Sequence, residues 1–307
     1  MMKIIVTGGA GFIGSHIVDA YCALGHDVVI LDNFSTGKKE NCNSKARIIT
    51  MDITADGIHD LFAQERFDVL NHHAAQMDVR VSVNDPKFDA TTNILGGLNL
   101  YEAAKNNGVK KIIFSSSGGT VYGEQQEFPA SEDHPKQPLS PYGISKLANE
   151  HYLYYYKQEY GIPSVILRYA NIYGPRQNPH GEAGVVAIFT NKLLAGQEPV
   201  INGDGLQTRD YVFVSDVVQA NIHALSDTME GAFNIGTEKE TDVVTIFRHL
   251  NDIIGGNSPE KYGAAKPGEQ RRSVISHKKI KEHYGWMPTV SFREGLEKTV
   301  EFFRAQL

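Results

Sequence analysis

The stretch that constrains this chain most is KIIVTGGAGFIG, residues 3–14. A short apolar run, 3–7, passes through a glycine-rich turn straight into an amphipathic stretch, 12–24. Strand, tight turn and helix in that order begin a parallel sheet with crossover helices. Gly8 permits the turn, Gly11 lets the backbone approach a pyrophosphate, and Gly14 lets helix and strand pack closely. At the helix start, the N–H groups of Phe12 and Ile13 add donors and a partial positive charge for phosphate. A second apolar run, 27–31, ends on Asp32, with Asn33 beside it. A carboxylate at that strand end accepts hydrogen bonds from ribose hydroxyls and repels a 2′-phosphate. No arginine adjoins it, so the pattern predicts NAD rather than NADP as cofactor.

The alternation continues through the first half of the chain. Strands are predicted over 3–7, 27–31, 46–50, 67–72, 111–116 and 164–169, and helices over 12–24, 58–65, 92–106 and 142–160. Six strands joined by right-handed crossovers predict an α/β fold, a doubly wound parallel Rossmann sheet. After Tyr169 the alternation is lost, and 175–182 and 202–208 read as loops rich in Gly, Pro, Asn and Asp. A second, smaller α/β substrate domain is expected there, closing on a helix over 293–304. The expected division is a cofactor-binding domain of 1–169 with 209–240, and a substrate domain of 170–208 with 241–307.

Composition narrows the partners. Thirty Lys+Arg against 36 Asp+Glu give a net charge of −6, which provides no global attraction to nucleic acid or an anionic membrane. Two cysteines, Cys22 and Cys42, exclude a disulfide framework and a Cys-rich zinc site. No signal-like segment opens the sequence and no apolar run is long enough to span a bilayer. A cytoplasmic location is expected.

Two features carry chemistry. Tyr142 and Lys146 lie four apart in SPYGISK, on one face of a helix. An ammonium near a phenol favours the phenolate, and lowering a phenol from about 10 to about 7 takes roughly 4 kcal/mol. The pair follows the serine run Ser115-Ser116-Ser117 at the end of the fifth strand. Elsewhere, Asp52 and Ile53 after the third strand are placed to touch the adenine, and Ala74 and Ala75 after the fourth are small where the chain would pass the cofactor. His72 and His73 are adjacent and point to opposite faces, and no metal site is expected.

Together TGGAGFIG, Asp32, HHAAQ, SSSGGTVYG and YGISK resemble the extended short-chain dehydrogenase/reductase family, in its nucleotide-sugar branch. RYANIYGPRQ, NGDGLQTRDYVFVSDV, FNIGT, PGEQRRS and YGWMP extend the likeness over nearly the whole chain. Within that branch these motifs are most similar to the UDP-glucose 4-epimerases of the shorter prokaryotic type, enzymes of galactose metabolism. The resemblance implies an isomerase that removes the C4-hydroxyl proton while hydride passes to bound NAD. The 4-keto sugar then turns and takes the hydride back on its other face. It assigns Ser117, Tyr142 and Lys146 to catalysis. This chain has one residue more than its relatives between the catalytic hydroxyl and Val-Tyr-Gly. If the extra glycine is a local bulge, Ser117 keeps its place; otherwise Ser116 or Thr120 points inward.

The same family contains UDP-glucuronate 4-epimerases, 4,6-dehydratases and decarboxylases. Dehydratases carry Thr-Asp-Glu before Val-Tyr-Gly, and decarboxylases tend to keep the Glu. Here Gly119 and Thr120 stand at the two acidic positions, and neither serves as a carboxyl acid or base. Simple 4-epimerisation is therefore favoured, with UDP-glucuronate 4-epimerisation open. A non-catalytic NAD-binding sensor is the reading from another class. The resemblance further places a UDP-sugar against Asn171 and Arg209, with Lys266, Arg271 or Arg272 as a late diphosphate clamp. Counted from Lys266, the position where relatives restricted to UDP-glucose and UDP-galactose carry a tyrosine is Ser273, which would leave room for an N-acetyl group. The tyrosine-dense helix 150–160 suggests an interface, and the family pattern implies a homodimer.

Overall fold

The computed structural model describes residues 1–179, 184–265 and 270–307. In chain order the elements are β1 (Lys3–Thr7), α1 (Phe12–Ala23), β2 (Asp27–Asp32), β3 (Arg47–Thr50), α2 (Gly57–Glu65), β4 (Val69–His72), α3 (Val79–Asn84), α4 (Pro86–Ala90), a π-helical turn (Thr91–Leu95), α5 (Gly96–Asn106), β5 (Lys111–Ser117), α6 (Pro141–Tyr160) and β6 (Ser164–Tyr169). There follow β7 (Asn171–Tyr173), α7 (Val185–Leu194), β8 (Val200–Asn202), β9 (Thr208–Phe213), α8 (Val214–Ala224), β10 (Gly231–Ile235), β11 (Glu240–Asp242), α9 (Val243–Ile254), β12 (Lys261–Gly263), β13 (Arg272–Ser273), α10 (Lys278–Tyr284) and α11 (Phe292–Arg304).

The chain forms two compact units. The first comprises Met1–Gly123, Lys136–Arg168 and Val218–Phe233. Its sheet has the order β10-β6-β5-β4-β1-β2-β3, with β1 paired in parallel to β2 and β4, β2 to β3, and β4 to β5. Near-continuous apolar strands such as Val28–Val29–Ile30–Leu31 are buried on both faces, as a sheet covered by helices requires. Phe62, Phe67, Leu70, Leu100, Tyr101 and Phe114 lie in one cluster under α2, α5 and α6. Six strands are expected from alternation and seven form; β10 comes after the alternation is lost, and only its last three residues, 233–235, are buried.

The second unit comprises Glu124–Pro135, Tyr169–Val217 and Asn234–Leu307. It holds the sheet β11-β9-β13, with β7 also paired to β9, and the ribbon β12-β8. Tyr173 stacks edge-on against Phe213 and Phe292 at 5.5 and 5.4 Å. Asp216 accepts hydrogen bonds from Thr289 and Val290. Of the segment 209–240 expected with the first half, 218–233 lies in the first unit, and 209–217 and 234–240 lie in the second. Strand β9 bonds to β11, β13 and β7, so its pairing commits it to the second unit. The segment 124–135 joins it because Gln125 accepts from Val274 N–H and Glu132 from Asn234 N–H.

Candidate active site

The glycine turn sits where β1 meets α1. Gly8 takes φ +68°, and a β-carbon there would lie 2.7 Å from the Ala74 nitrogen; one on Gly14 would collide with the Gly8 carbonyl. Thr7 Oγ1 accepts from the His73 and Ala74 N–H groups at 3.2 and 3.1 Å and pairs with His72 Nδ1 at 2.8 Å. That fixes the Ala74–Ala75 backbone against the turn. Gly11 precedes α1 in extended conformation with no side-chain cap, and the first helical turn carries no acidic residue. The N–H groups of Phe12 and Ile13 and the positive end of the helix are thus left for an anionic group. Asp32, buried at the end of β2, accepts from Ala10 N–H at 3.0 Å and Phe34 N–H at 2.8 Å. Its carboxylate retains lone pairs for ribose hydroxyls. This cradle fits a dinucleotide. Nearby, Asn33 Nδ2 donates to Asp52 at 2.7 Å, while Ile53 packs in the core against Gly96, its side chain only 5% exposed.

The serine run is sorted by the pleat of β5. Ser115 donates to the His72 carbonyl at 3.1 Å and, from its own carbonyl, accepts Lys146 Nζ at 2.8 Å. Ser116 points the other way and donates to Glu150 Oε1 at 2.5 Å. Ser117 is the last residue of the strand and half-buried. The extra residue is taken up in the turn beyond it, where Thr120 and Val121 N–H both donate to the Ser117 carbonyl. The Thr120 hydroxyl is buried with no hydrogen-bond partner among the described residues, the condition of a group that a ligand would satisfy.

Helix α6 brings in the other two residues. Ser140 caps it by accepting from Gly143 N–H at 3.1 Å, Pro141 opens it, and Gly161 closes it at φ +68°. The ammonium of Lys146 stands 5.6 Å from the Tyr142 ring centroid and 4.9 Å from that of Phe114. Burial lowers Lys146 to about 8, against the opposing pull of Asp89 and Glu150. Tyr142 departs from expectation: burial first, and the Asp89 carboxylate second, push its phenol above its ordinary value. Lys146 by itself therefore does not outweigh desolvation.

Asp89 is the residue that sequence patterning misses. It is fully buried and is satisfied by neutral donors alone: Gln76 Nε2 at 3.1 Å, Asn93 Nδ2 at 2.9 Å and Ser145 Oγ at 2.6 Å. Asn93 lies in the π-helical turn and also bonds to the Gln76 backbone. A signal existed in Asp85-Pro86, an N-cap followed by a proline at N1, but the helix it starts is one turn long.

In the second unit, Asn171 lies on β7 in register with Tyr211, and Arg209 lies on β9 with Nη1 donating to the Thr208 carbonyl. Lys266 lies outside the described residues. Arg271 and Arg272 are both engaged, in forked pairs to Asp204 (2.8 and 2.9 Å) and Glu240 (2.9 and 2.7 Å). As clamps they would first have to leave these carboxylates. Ser273 is buried and pairs beside Arg209. Among the described residues no group of His, Cys, Asp or Glu could hold a metal, and no helix is long and apolar enough to cross a membrane.

A doubly wound sheet with an uncapped glycine turn and a Tyr-x-x-x-Lys helix beyond β5 defines a dinucleotide-dependent enzyme of the α/β class. Comparison with known proteins narrows this. The profile of the NAD dependent epimerase/dehydratase family matches residues 4–236, and the chain belongs to that family. It is 45% identical over 309 residues to a UDP-glucose 4-epimerase of Mycolicibacterium smegmatis, covering 99% of both chains. A UDP-glucose 4-epimerase of Thermotoga maritima, crystallised with UDP-glucose, superposes with TM-score 0.97 at 47% identity over 99% of each chain. One from Thermus thermophilus in complex with NAD gives 0.94 at 43%, over the full length of each.

Proposed function

We propose that this chain is an NAD-dependent 4-epimerase that interconverts UDP-glucose and UDP-galactose through a 4-keto sugar. The observation that carries the reading is the trio Ser117, Tyr142 and Lys146 with no carboxylate at 119 or 120. Bound NAD supplies an acceptor and donor for the C4 hydride, and a positive charge in its oxidised form. Tyr142 removes the proton from the C4 hydroxyl and returns it after the sugar has turned. Lys146, anchored on the Ser115 carbonyl, stabilises the phenolate, and Ser117 hydrogen-bonds the same oxygen. Asn171 and Arg209 hold the diphosphate, a role suited to a guanidinium. Elimination at C5–C6 needs a carboxyl acid that Gly119 and Thr120 do not provide.

The purified protein should release NAD, not NADP, on denaturation and convert UDP-galactose to UDP-glucose without added cofactor. Release of NADP would contradict the role given to Asp32. Bound NAD with no turnover of any UDP-sugar would leave a cofactor-binding sensor, and conversion of UDP-glucuronate alone would move the substrate to the uronates.

The enzyme acts as a homodimer in this reading. Tyr152, Tyr154 and Tyr155 are exposed on α6, and Leu95 before α5 is 57% exposed, a concentration of apolar surface typical of interfaces. Sedimentation should give twice the chain mass, and Tyr154→Arg should shift the protein toward monomer. A monomeric wild type at micromolar concentration would refute the dimer.

A further inference from the structure

The catalytic helix carries a second charged residue one turn beyond Lys146. Glu150 and Arg168 form a buried pair, with Arg168 Nε at 3.0 Å from Oε1 and Nη2 at 2.6 Å from Oε2. Each member reaches further. Glu150 accepts from Ser116, the residue before Ser117. Arg168 Nη1 donates to the Tyr122 hydroxyl at 2.9 Å, and the guanidinium lies 5.3 Å from that ring's centroid. Tyr122 ends the turn that follows Ser117. One ion pair is therefore bonded to the strand before the catalytic serine, to the turn after it, and to the helix that bears Tyr142 and Lys146.

All four side chains are at most 6% exposed, and their polar atoms are bonded to one another. A pair of buried charges is also a poor source of stability, because desolvation consumes most of the Coulombic gain. Its geometry is what it adds. A planar fork with five donors can hold a carboxylate and a phenol at once in fixed directions, which lysine cannot. We infer that Glu150 and Arg168 are positioning residues that set the distance of Ser117 from the Tyr142–Lys146 face of α6. The inference rests on the epimerase reading for its assay and on the Ser117 assignment for its consequence.

The first variant removes a single atom and leaves the ion pair in place. Tyr122→Phe deletes the hydroxyl bonded to Arg168, and Tyr156→Phe deletes a comparable phenol bond on the same helix, to Glu102, as the control for stability alone. Tyr122→Phe should lower kcat about 10- to 100-fold, the cost of a displacement near 1 Å at the reacting groups. KM for the UDP-sugar and the content of bound NAD should stay unchanged. Arg168→Lys, which keeps the charge and loses the fork, should reproduce the kcat loss, while Tyr156→Phe should leave kcat near wild type. The positioning role is overturned if Tyr122→Phe keeps kcat within twofold, or if both phenylalanine variants lose activity only in proportion to melting temperature. A wild type with no epimerase activity would instead sink the reading on which the assay depends.

Discussion

Tyr142→Phe should lower epimerisation by about 10³- to 10⁴-fold, the upper range for loss of a positioned acid–base group. The bound cofactor should be retained. The substitution removes one oxygen and keeps the ring that packs 5.6 Å from the Lys146 ammonium, so the helix and glycine cradle have no reason to move. The size of the effect follows from the electrostatics. Burial and Asp89 both oppose the phenolate, so the Tyr142 hydroxyl works as a base only with help from positive charge nearby, and the phenylalanine ring has no group to accept the C4-hydroxyl proton. Ser117→Ala should cost less, about 10²-fold, because a hydrogen-bonding partner is lost while the base remains. Ser116→Ala separates the registers. Its hydroxyl is bonded to Glu150, so it should fall less than Ser117→Ala. A silent Ser117→Ala beside a dead Ser116→Ala would reassign the catalytic hydroxyl. The readout is initial rate at saturating UDP-galactose, with NAD content measured on the same samples.

How far the sequence carries depends on whether a feature is local. The unit from β1 through the glycine turn to α1 is legible almost to the residue, because turn, helix start and buried strand each demand particular residue types. Helix α6 is legible for the same reason, from Ser140-Pro141 at one end to Gly161 at the other. The stretch 92–106 reads as one helix, yet its first turn is π-helical. Asn93 there bonds to Gln76 and Asp89, and Asn149 Nδ2 takes its carbonyl. Those partners are up to 56 residues away, and no local periodicity encodes them. The pairing of Glu150 with Arg168 and the burial of Asp89 are hidden likewise, since both are properties of the assembled unit. In the second unit most strands are two or three residues long, too short for an alternation to register. Of the late basic residues, spacing alone could not show that Arg271 and Arg272 already have carboxylates of their own.

We propose that Ser273 bears on which hexose is accepted. The residue is 4% exposed, on β13 in register with Arg209 of β9. That burial, beside a proposed diphosphate contact, is what supports a role for it in the substrate site. Exclusion from a packed pocket is steep, since a protein interior yields little to an added ring. The family resemblance implies a tyrosine at this position in relatives restricted to UDP-glucose and UDP-galactose, and we propose that the serine leaves space for an N-acetyl group at C2 of the sugar. The wild type should therefore epimerise UDP-GlcNAc and UDP-GalNAc at rates within about tenfold of the non-acetylated pair, a gap of at most about 1.4 kcal/mol. Ser273→Tyr should cut the acetylated rate by about 10²-fold or more and leave UDP-galactose turnover largely intact, while Ser273→Ala should keep both. Loss of both activities in Ser273→Tyr together with a lowered melting temperature would mean overpacking of the core, and the wild-type rates would then decide. A wild type that turns over only the non-acetylated sugars removes Ser273 from the specificity of this enzyme.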